Sequence, residues 1–222
     1  TLTTALTSVR ELLDEPTARA WSDTELTRWI NEACRDMCRT TEVLQTKADI
    51  SITAGTQEYT APTDAVRIYR AEYTRTGEST IYPLEYRDFN AVDAVAWTQR
   101  AITQSTPFLF TMWGVVPSLK ITLYPKPSSA GTLTVYYYRL PTAVSGGSDT
   151  LDIPQGWEDA VYAYVEYRAL RRDRDPRWQE AKAEYDEKVQ NLYTLSRRLT
   201  DQAGVVTPYQ AVGLPTWLVG EW

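Results

Sequence analysis

The sequence predicts an α+β fold: an antiparallel helical bundle of N-terminal helices plus two long C-terminal helices, with an inserted antiparallel β module and an extended C-terminal arm. Hydrophobic side chains recur every three or four residues in the first and last thirds of the chain, the period of amphipathic helices. Between these blocks they alternate every second residue, the period of strands. We expect residues 1–45 and 151–199 to form the helical domain, 46–145 the β module and 200–222 the arm.

The N-terminal block contains two helix patterns. Residues 3–14 form the first, which stops before a proline. The second has the clearest start in the chain, because Ser22 followed by Glu25 is a capping box and Trp21 before it begins a hydrophobic staple. We expect this helix to continue to about Thr40.

The middle of the chain is expected to hold five or six antiparallel strands. Stretches rich in Gly and Pro separate them, and residues 54–65 are interpreted as one such turn. Pro83 favours an edge position for the third strand, because proline cannot donate to a neighbouring strand. Residues 86–97 return to helical spacing. The expected strands lie at 48–52, 66–70, 81–84, 108–113, 119–124 and 132–139.

The C-terminal helices are predicted within residues 153–199, separated at Pro176. The segment SGGSD at 145–149 is interpreted as a flexible link between the β module and these helices. Both helices carry an aromatic-rich face that must be buried, for which the N-terminal helices and the β module are the available partners.

The last segment follows neither period and contains three Gly and two Pro, yet it is too apolar for a solvated tail. We expect it to lie in a groove, either on its own domain or on a partner protein. The candidate partner-binding residues of this arm are Val205, Val206, Pro208, Tyr209, Leu214, Pro215, Trp217, Leu218 and Trp222.

The net charge is −6, and no segment has the excess of Lys and Arg that tight DNA binding requires. Arg168, Arg171, Arg172 and Arg174 form a local cluster. Because Asp173 and Asp175 adjoin these arginines, the cluster is interpreted as a solvated helix end.

Catalytic and metal-binding patterns are not evident. The chain contains no histidine, and its two cysteines, Cys34 and Cys38, lie four residues apart on one helix face. Because no further soft ligand accompanies them, we expect two reduced structural thiols, no metal site and no cofactor. The carboxylate pairs Asp159/Glu166 and Glu184/Glu187 are read as parts of polar helix faces. We expect no enzymatic activity and no catalytic residues. The given sequence also shows neither a signal-peptide pattern nor an apolar run of membrane-spanning length, which favours the cytoplasm.

Four stretches resemble the head–tail adaptor, or connector, proteins of tailed bacteriophages. They are WSDTELTRWINEACRDMCR, GTQEYTAPTDAVRIYRAEY, LKITLYPKPSSAGTLTVYYYRLP and IPQGWEDAVYAYVEYRALRRDRDPRWQEAKAEYDEKVQ. The resemblance covers roughly residues 20–195 and is one of pattern, because these proteins diverge widely in sequence.

The resemblance implies a virion structural protein of the head–tail neck, assembled in the host cytoplasm. Neighbouring copies would form a ring, usually of twelve, that binds the portal protein and extends the DNA ejection channel. A downstream tail or neck protein would attach to this platform, and DNA would pass through the lumen without specific binding. The weakly acidic composition agrees with that last expectation.

Two alternatives remain open at this stage. The first alternative is a peptidoglycan-cleaving glycosidase, because one branch of such proteins in short-tailed phages is credited with cell-wall hydrolysis. Such an enzyme would need two carboxylates across a cleft. The second is a β-sandwich receptor-binding module, which would expose an aromatic patch such as Tyr136, Tyr137 and Tyr138. Since alternate strand residues face opposite sides, one face of that patch is expected to be core, which weakens this reading.

Overall fold

The computed structural model describes residues 1–15, 20–90 and 106–204, with the backbone alone for 198–204. The helices are α1 (Leu2–Leu12), α2 (Asp23–Thr41), α3 (Glu158–Asp173) and α4 (Trp178–Gly204). The strands are β1 (Gln45–Ile52), β2 (Glu58–Thr60), β3 (Ala65–Arg75), β4 (Ile81–Tyr86), β5 (Leu109–Trp113), β6 (Lys120–Tyr124) and β7 (Gly131–Arg139). Of the predicted helix at 86–97, residues 91–97 lie outside the described residues.

Helix α2 begins where the capping box predicts. The Ser22 hydroxyl accepts a hydrogen bond from the Glu25 backbone N–H at 3.3 Å, which satisfies one of the free donors of the first turn. The Glu25 carboxylate does not complete the box as predicted, because it lies against Arg28 and Arg172. The helix ends at Thr41, and the residue that caps it, Glu42, has a left-handed backbone with φ 49°.

Helix α3 is the centre of the helical core. It packs against α1, α2 and α4, and its small residues allow those helices to approach closely. Ala160, Val161, Ala163, Val165 and Ala169 are all at most 4% exposed. The core is completed by Leu26, Trp29, Ile30 and Met37 of α2 and by Tyr185 and Val189 of α4.

The sheet has a hydrophobic core of its own, centred on Tyr73, Phe110 and Leu133, each at most 1% exposed. Its strand order is β1-β7-β3-β4-β5-β6-β2. The two edge strands β1 and β2 are joined by only residues 53–57, so the sheet must curve round until its edges approach each other. The Tyr59 hydroxyl spans this approach, donating to the carbonyls of Thr53 and Thr56.

The predicted fold class is therefore wrong. A seven-stranded, nearly closed, barrel-like sheet with its own core is a principal part of the fold, and not an accessory inserted in a helical bundle. The sheet is also mixed rather than antiparallel, since β4 and β5 pair in parallel. Strand β2 lies within the stretch that the sequence predicted as a turn.

Pro83 lies in an interior strand, contrary to the predicted edge position, because β4 pairs with both β3 and β5. The backbone N–H groups of Glu85 and Arg87 donate to β5-side carbonyls, so the nitrogen of Pro83 also points to that side. The pairing with β5 begins only at Glu85, and the missing N–H of proline therefore costs no strand hydrogen bond.

Ion pairs join the sheet to the helices. Arg139 at the end of β7 forms a bidentate pair with Asp152, one branch at 2.8 Å, and Asp152 also accepts from the Thr142 backbone N–H at 2.8 Å. Arg67 of β3 forms a second bidentate pair with Glu42, with N–O distances of 2.7 and 2.6 Å. Both carboxylates are largely shielded from solvent, at 24% and 18% exposure.

The predicted flexible link at 145–149 is held in place instead. The Asp149 carboxylate accepts from the backbone N–H groups of Ser145 and Gly146, each at 2.8 Å, and these bonds lower its pKa. The first backbone N–H groups of α1 donate to the carbonyls of Asp149 and Gly147. The link thus caps α1 and brings the N-terminal helix to the sheet-to-helix connection.

We predict that Ser22→Ala lowers the free energy of unfolding by about 1 kcal/mol, because the Glu25 backbone N–H loses its side-chain acceptor and keeps only the Ser22 carbonyl. Urea denaturation followed by far-UV circular dichroism measures the change. Ser79→Ala, an exposed serine outside helices and strands, is the matched control and is expected to have no effect. An unchanged midpoint for Ser22→Ala would contradict the role of this cap.

We predict that Asp152→Asn lowers the free energy of unfolding by about 2 kcal/mol at neutral pH, since charged hydrogen bonds to Arg139 and Thr142 are lost. The Arg139 guanidinium lowers the pKa of Asp152 to about 2, below the roughly 3.9 of an unfolded aspartate. The carboxylate therefore stabilises the fold above the unfolded pKa, and this contribution is lost as pH falls through the folded pKa.

Urea titrations at neutral and acidic pH test this prediction. The difference between the wild type and Asp152→Asn is expected to shrink as pH falls from about 4 towards about 2. Asp186→Asn, which removes an exposed surface pair with Lys182, is the control and is expected to cost only a few tenths of a kcal/mol. A constant difference across this range would refute the linkage.

Candidate functional site

The residues predicted to bind a partner through the C-terminal arm lie outside the described residues. Helix α4 continues to Gly204, so the segment without a described helix starts later than the predicted residue 200. The prediction for this segment stays a prediction. The residues concerned are Val205, Val206, Pro208, Tyr209, Leu214, Pro215, Trp217, Leu218 and Trp222.

The carboxylates considered for catalysis do not group as the two pairs expected from the sequence. Asp159 and Glu166 of α3 line a groove together with Glu184 of α4, while Glu187 is not part of its lining. The groove also includes Leu12 of α1, which is 48% exposed. We call Asp159, Glu166 and Glu184 the acidic groove.

The acidic groove carries uncompensated negative charge. Lys188 is its one lysine or arginine among the described lining residues, and it pairs with Glu184 at 2.8 Å. Burial raises the pKa of Glu166, and the Glu184 charge raises it further. The groove has a volume of about 160 Å³, below the roughly 300–1,000 Å³ of small-molecule sites. The groove is therefore smaller than a typical ligand site.

The three consecutive tyrosines of β7 do not form an exposed patch. Tyr137 lies in the core of the sheet and Tyr138 is only 6% exposed. Arg67 covers the ring of Tyr138, with its guanidinium carbon 4.9 Å from the ring centroid, and Arg70 lies 5.5 Å from the centroid of Tyr136. These contacts use the tyrosines within the fold and disfavour a receptor-binding surface at this position.

Cys34 and Cys38 are both free and buried in the described structure. Burial raises the pKa of each thiol to about 12, and the nearby Asp152 charge acts in the same direction. Thiols with such a high pKa are poor nucleophiles at neutral pH. Within the described residues, no group of three or more His, Cys, Asp or Glu side chains is arranged to hold a metal ion.

A basic surface that the sequence analysis missed lies where α2 and α3 pack together. Arginines from both helices line two adjoining cavities of about 450 and 380 Å³. We call this surface the arginine face. Its members are Arg28, Arg35 and Arg39 of α2 and Arg168, Arg171 and Arg172 of α3.

The spacing of these arginines was a signal available in the sequence. Arg28, Arg35 and Arg39 are seven and four residues apart, and Arg168 and Arg172 are four apart, so each set follows one helix face. For Arg168, Arg171, Arg172 and Arg174, the sequence was interpreted as a helix end balanced by Asp173 and Asp175. Asp175 instead pairs with Arg177, and the carboxylates nearest to the arginine face come from α2.

Three carboxylates lie between the six arginines. Glu32 pairs with Arg168 at 3.1 Å, and Glu25 pairs with Arg172. Asp36 accepts a hydrogen bond from the Tyr185 hydroxyl at 2.6 Å. The face therefore has more cations than anions, and Arg35, Arg39 and Arg171 have no carboxylate partner within the described part of the chain.

Aromatic side chains pack against the arginine face. Arg172 lies over Trp21, 5.0 Å from the ring centroid, and Trp21 packs on Trp29. Trp29 lines the larger cavity and is 2% exposed, and its indole N–H has no acceptor within the described residues. Such a buried donor without a partner is uncommon in folded proteins.

Among the helices in the described residues, none combines the length and the apolar composition needed to cross a membrane.

The chain matches the family model described as "SU10 adaptor protein" over residues 1–209. It belongs to the SU10 adaptor protein family, and the resemblance to adaptor proteins noted in the sequence is confirmed.

The other comparisons add little. No curated protein matches the chain. A solved structure described as "Neck of empty GTA particle computed with C6 symmetry" is similar over 76% of this chain and 80% of its own chain, at 13% sequence identity and a TM-score of 0.29. Similarity at this level carries no argument about function.

We predict that Glu166→Gln raises the stability of the chain at neutral pH. The folded pKa of Glu166 is raised by burial and by Glu184, so the charged form destabilises the fold and protonation relieves this cost. The gain of the variant is therefore expected to disappear as pH falls through the raised pKa. Urea midpoints of wild type and variant across this range measure it.

Glu187→Gln is the matched control, because Glu187 is exposed on the same helix α4 as Glu184. It is expected to leave the midpoint unchanged at every pH. A Glu166→Gln variant that is less stable than wild type at neutral pH would show that the Glu166 carboxylate is favourably bound, and would contradict the uncompensated charge of the acidic groove.

Proposed function

We propose that the chain is a structural adaptor of the neck of a tailed bacteriophage. Copies form a ring, most simply of twelve, beneath the portal protein, and the ring extends the DNA channel and provides the attachment platform for tail or neck proteins. The observation that carries this proposal is the family match, which extends over residues 1–209 of the 222. The chain then belongs to the virion, after assembly in the host cytoplasm.

The distribution of polar groups supports a structural role. The bidentate pairs Arg139–Asp152 and Arg67–Glu42 join sheet and helices, and such geometry fixes the relative orientation of the groups it links. A platform that transmits contacts between a head and a tail requires this kind of rigid joint. We assign no catalytic residue and no cofactor to this function.

The charge of the chain supports passage of DNA through the ring without specific binding. The net charge is −6, and a lumen lined by a weakly acidic protein would repel the phosphate backbone. The arginine face carries Glu25, Glu32 and Asp36 among its cations, so it lacks the uninterrupted positive surface on which duplex DNA is held.

A peptidoglycan-cleaving glycosidase is the weaker candidate. Its best location would be the acidic groove, where Glu166 has a raised pKa and lies near a second carboxylate, as a general acid requires. The size of the groove and the ion pair of Glu184 with Lys188 speak against it.

The C-terminal arm is proposed to bind the portal protein or an adjacent copy. Its apolar residues Trp217, Leu218 and Trp222 are suited to act as anchors, because large buried side chains dominate binding energy at interfaces. Each such side chain gains roughly 1.5–3 kcal/mol on full burial.

We predict that a chain truncated after Gly204 retains the melting temperature of the full chain but no longer co-sediments with portal rings of the same particle. A full-length variant with serine at Trp217, Leu218 and Trp222 is expected to behave in the same way. Val115→Ser, which changes a side chain that is 78% exposed in the connection between β5 and β6, is the control and is expected to bind normally.

The outcomes separate the two parts of the proposal. A full chain that does not bind portal rings contradicts the adaptor function. A truncated chain that still binds them normally contradicts the role of the arm alone, whatever its stability.

A further inference from the structure

The acidic groove and the arginine face lie on opposite sides of one helix. Glu166 and Arg168 of α3 are two residues apart, which places them about 200° apart around the helix axis. Glu166 belongs to the groove shared with α1 and α4, whereas Arg168 belongs to the face shared with α2. The chain thus presents two surfaces of opposite charge that cannot contact each other within one molecule.

From this geometry we infer that the chain associates head to tail with copies of itself, the arginine face of one copy binding the acidic groove of the next. The inference deepens the proposed ring by naming its two contact surfaces, and to that extent it rests on the proposed function. A contact between two different surfaces repeats from copy to copy and generates a ring when the rotation closes.

The arginine face offers donors that no carboxylate among the described residues occupies. Arg35 and Arg39 are exposed. Within the described residues, the one side-chain hydrogen bond of Arg171 goes to the Tyr167 hydroxyl at 2.7 Å, beside its ring contacts with Tyr167 and Trp178. Arg28 has only distant partners, with N–O distances of 3.9 Å to Glu25 and 3.8 Å to Glu32. These cations are available to carboxylates from outside the molecule.

The acidic groove offers the matching acceptors. Asp159 forms no ion pair within the described residues, and Glu166 remains near Glu184 despite the cost that its raised pKa reflects. An arginine from a neighbour would remove that repulsion. Leu12 at the rim, 48% exposed, would be covered by the same contact and would add apolar area.

A second copy explains these features better than duplex DNA does. Glu25, Glu32 and Asp36 interrupt the arginine face and would repel phosphates, whereas a protein surface can place its own charges around them. The complementary acidic surface is also present on the same chain. Binding of duplex DNA to the arginine face is therefore the alternative that the experiment distinguishes.

The test uses charge reversal in the full chain. The first variant carries Arg35→Glu and Arg171→Glu, chosen because neither arginine pairs with a carboxylate in the described part of the chain. The second carries Asp159→Lys and Glu184→Lys in the acidic groove. The control carries Lys47→Glu and Arg87→Glu, two exposed cations of the sheet region, and circular dichroism verifies that every variant is folded.

Sedimentation velocity is measured over a wide range of protein concentration at about 0.05 M and about 0.5 M salt. The wild type and the control are expected to associate at low salt and to dissociate at high salt. Each reversed variant alone is expected to associate roughly 100-fold more weakly, because like charges then face each other. An equimolar mixture of the two variants is expected to associate again, since each reversed surface meets a complementary one.

Three results would overturn the inference: a wild-type chain that stays monomeric at low salt, reversed variants that associate as the wild type does, or a mixture that does not regain association. Retention of duplex DNA by the wild type, lost only in the arginine variant, would assign the arginine face to nucleic acid instead. If self-association fails while the chain still binds portal rings, only this inference is wrong; if portal binding also fails, the proposed function fails with it.

Discussion

The burial of α3 is the constraint on which much of the structure depends. Helices α1, α2 and α4 all pack against it, and alanine and valine fill the contacts because larger residues would separate the helices. With most of its surface covered, α3 can place charged side chains only at the two edges that remain accessible. Its carboxylates emerge between α1 and α4 and its arginines beside α2. The separation of charge on the molecular surface therefore follows from the packing of one helix.

The joint between the helices and the sheet depends on two carboxylates. Glu42 lies just after α2 and binds Arg67 of β3, with Arg197 of α4 at 3.5 Å. Asp152 binds Arg139 of β7 and the backbone after it. Both pairs are only partly exposed, so they are less screened than surface pairs. They link the regions of two hydrophobic cores that share no buried residue.

Local signals predicted the helices better than the sheet. The cap at Ser22 and the three- and four-residue period before and after the sheet depend on neighbours in sequence. The sheet depends on contacts between distant residues: β2 pairs with β6 across sixty positions, and β4 pairs in parallel with β5. Neither pairing has a local signature, which is why the fold class was predicted wrongly. The arginine face was missed for the same reason. The spacing of arginines within each helix was visible in the sequence, but the packing that brings α2 and α3 together was not.

The placement of charge also restricts how copies of the chain can meet. In a twofold-symmetric dimer built on one of these surfaces, that surface contacts its own equivalent. Two arginine faces would then bring six arginines and three carboxylates of one copy against the same set of the other, with an excess of positive charge on both sides. A twofold contact through the acidic groove would likewise place Asp159, Glu166 and Glu184 of one copy against the same three residues of the other. Like charges in such contacts cost several kcal/mol, and the excess charge of each surface is not neutralised by its own molecule. Contacts through these surfaces are therefore more favourable between the arginine face and the acidic groove than between two like surfaces, which agrees with the head-to-tail contact inferred above.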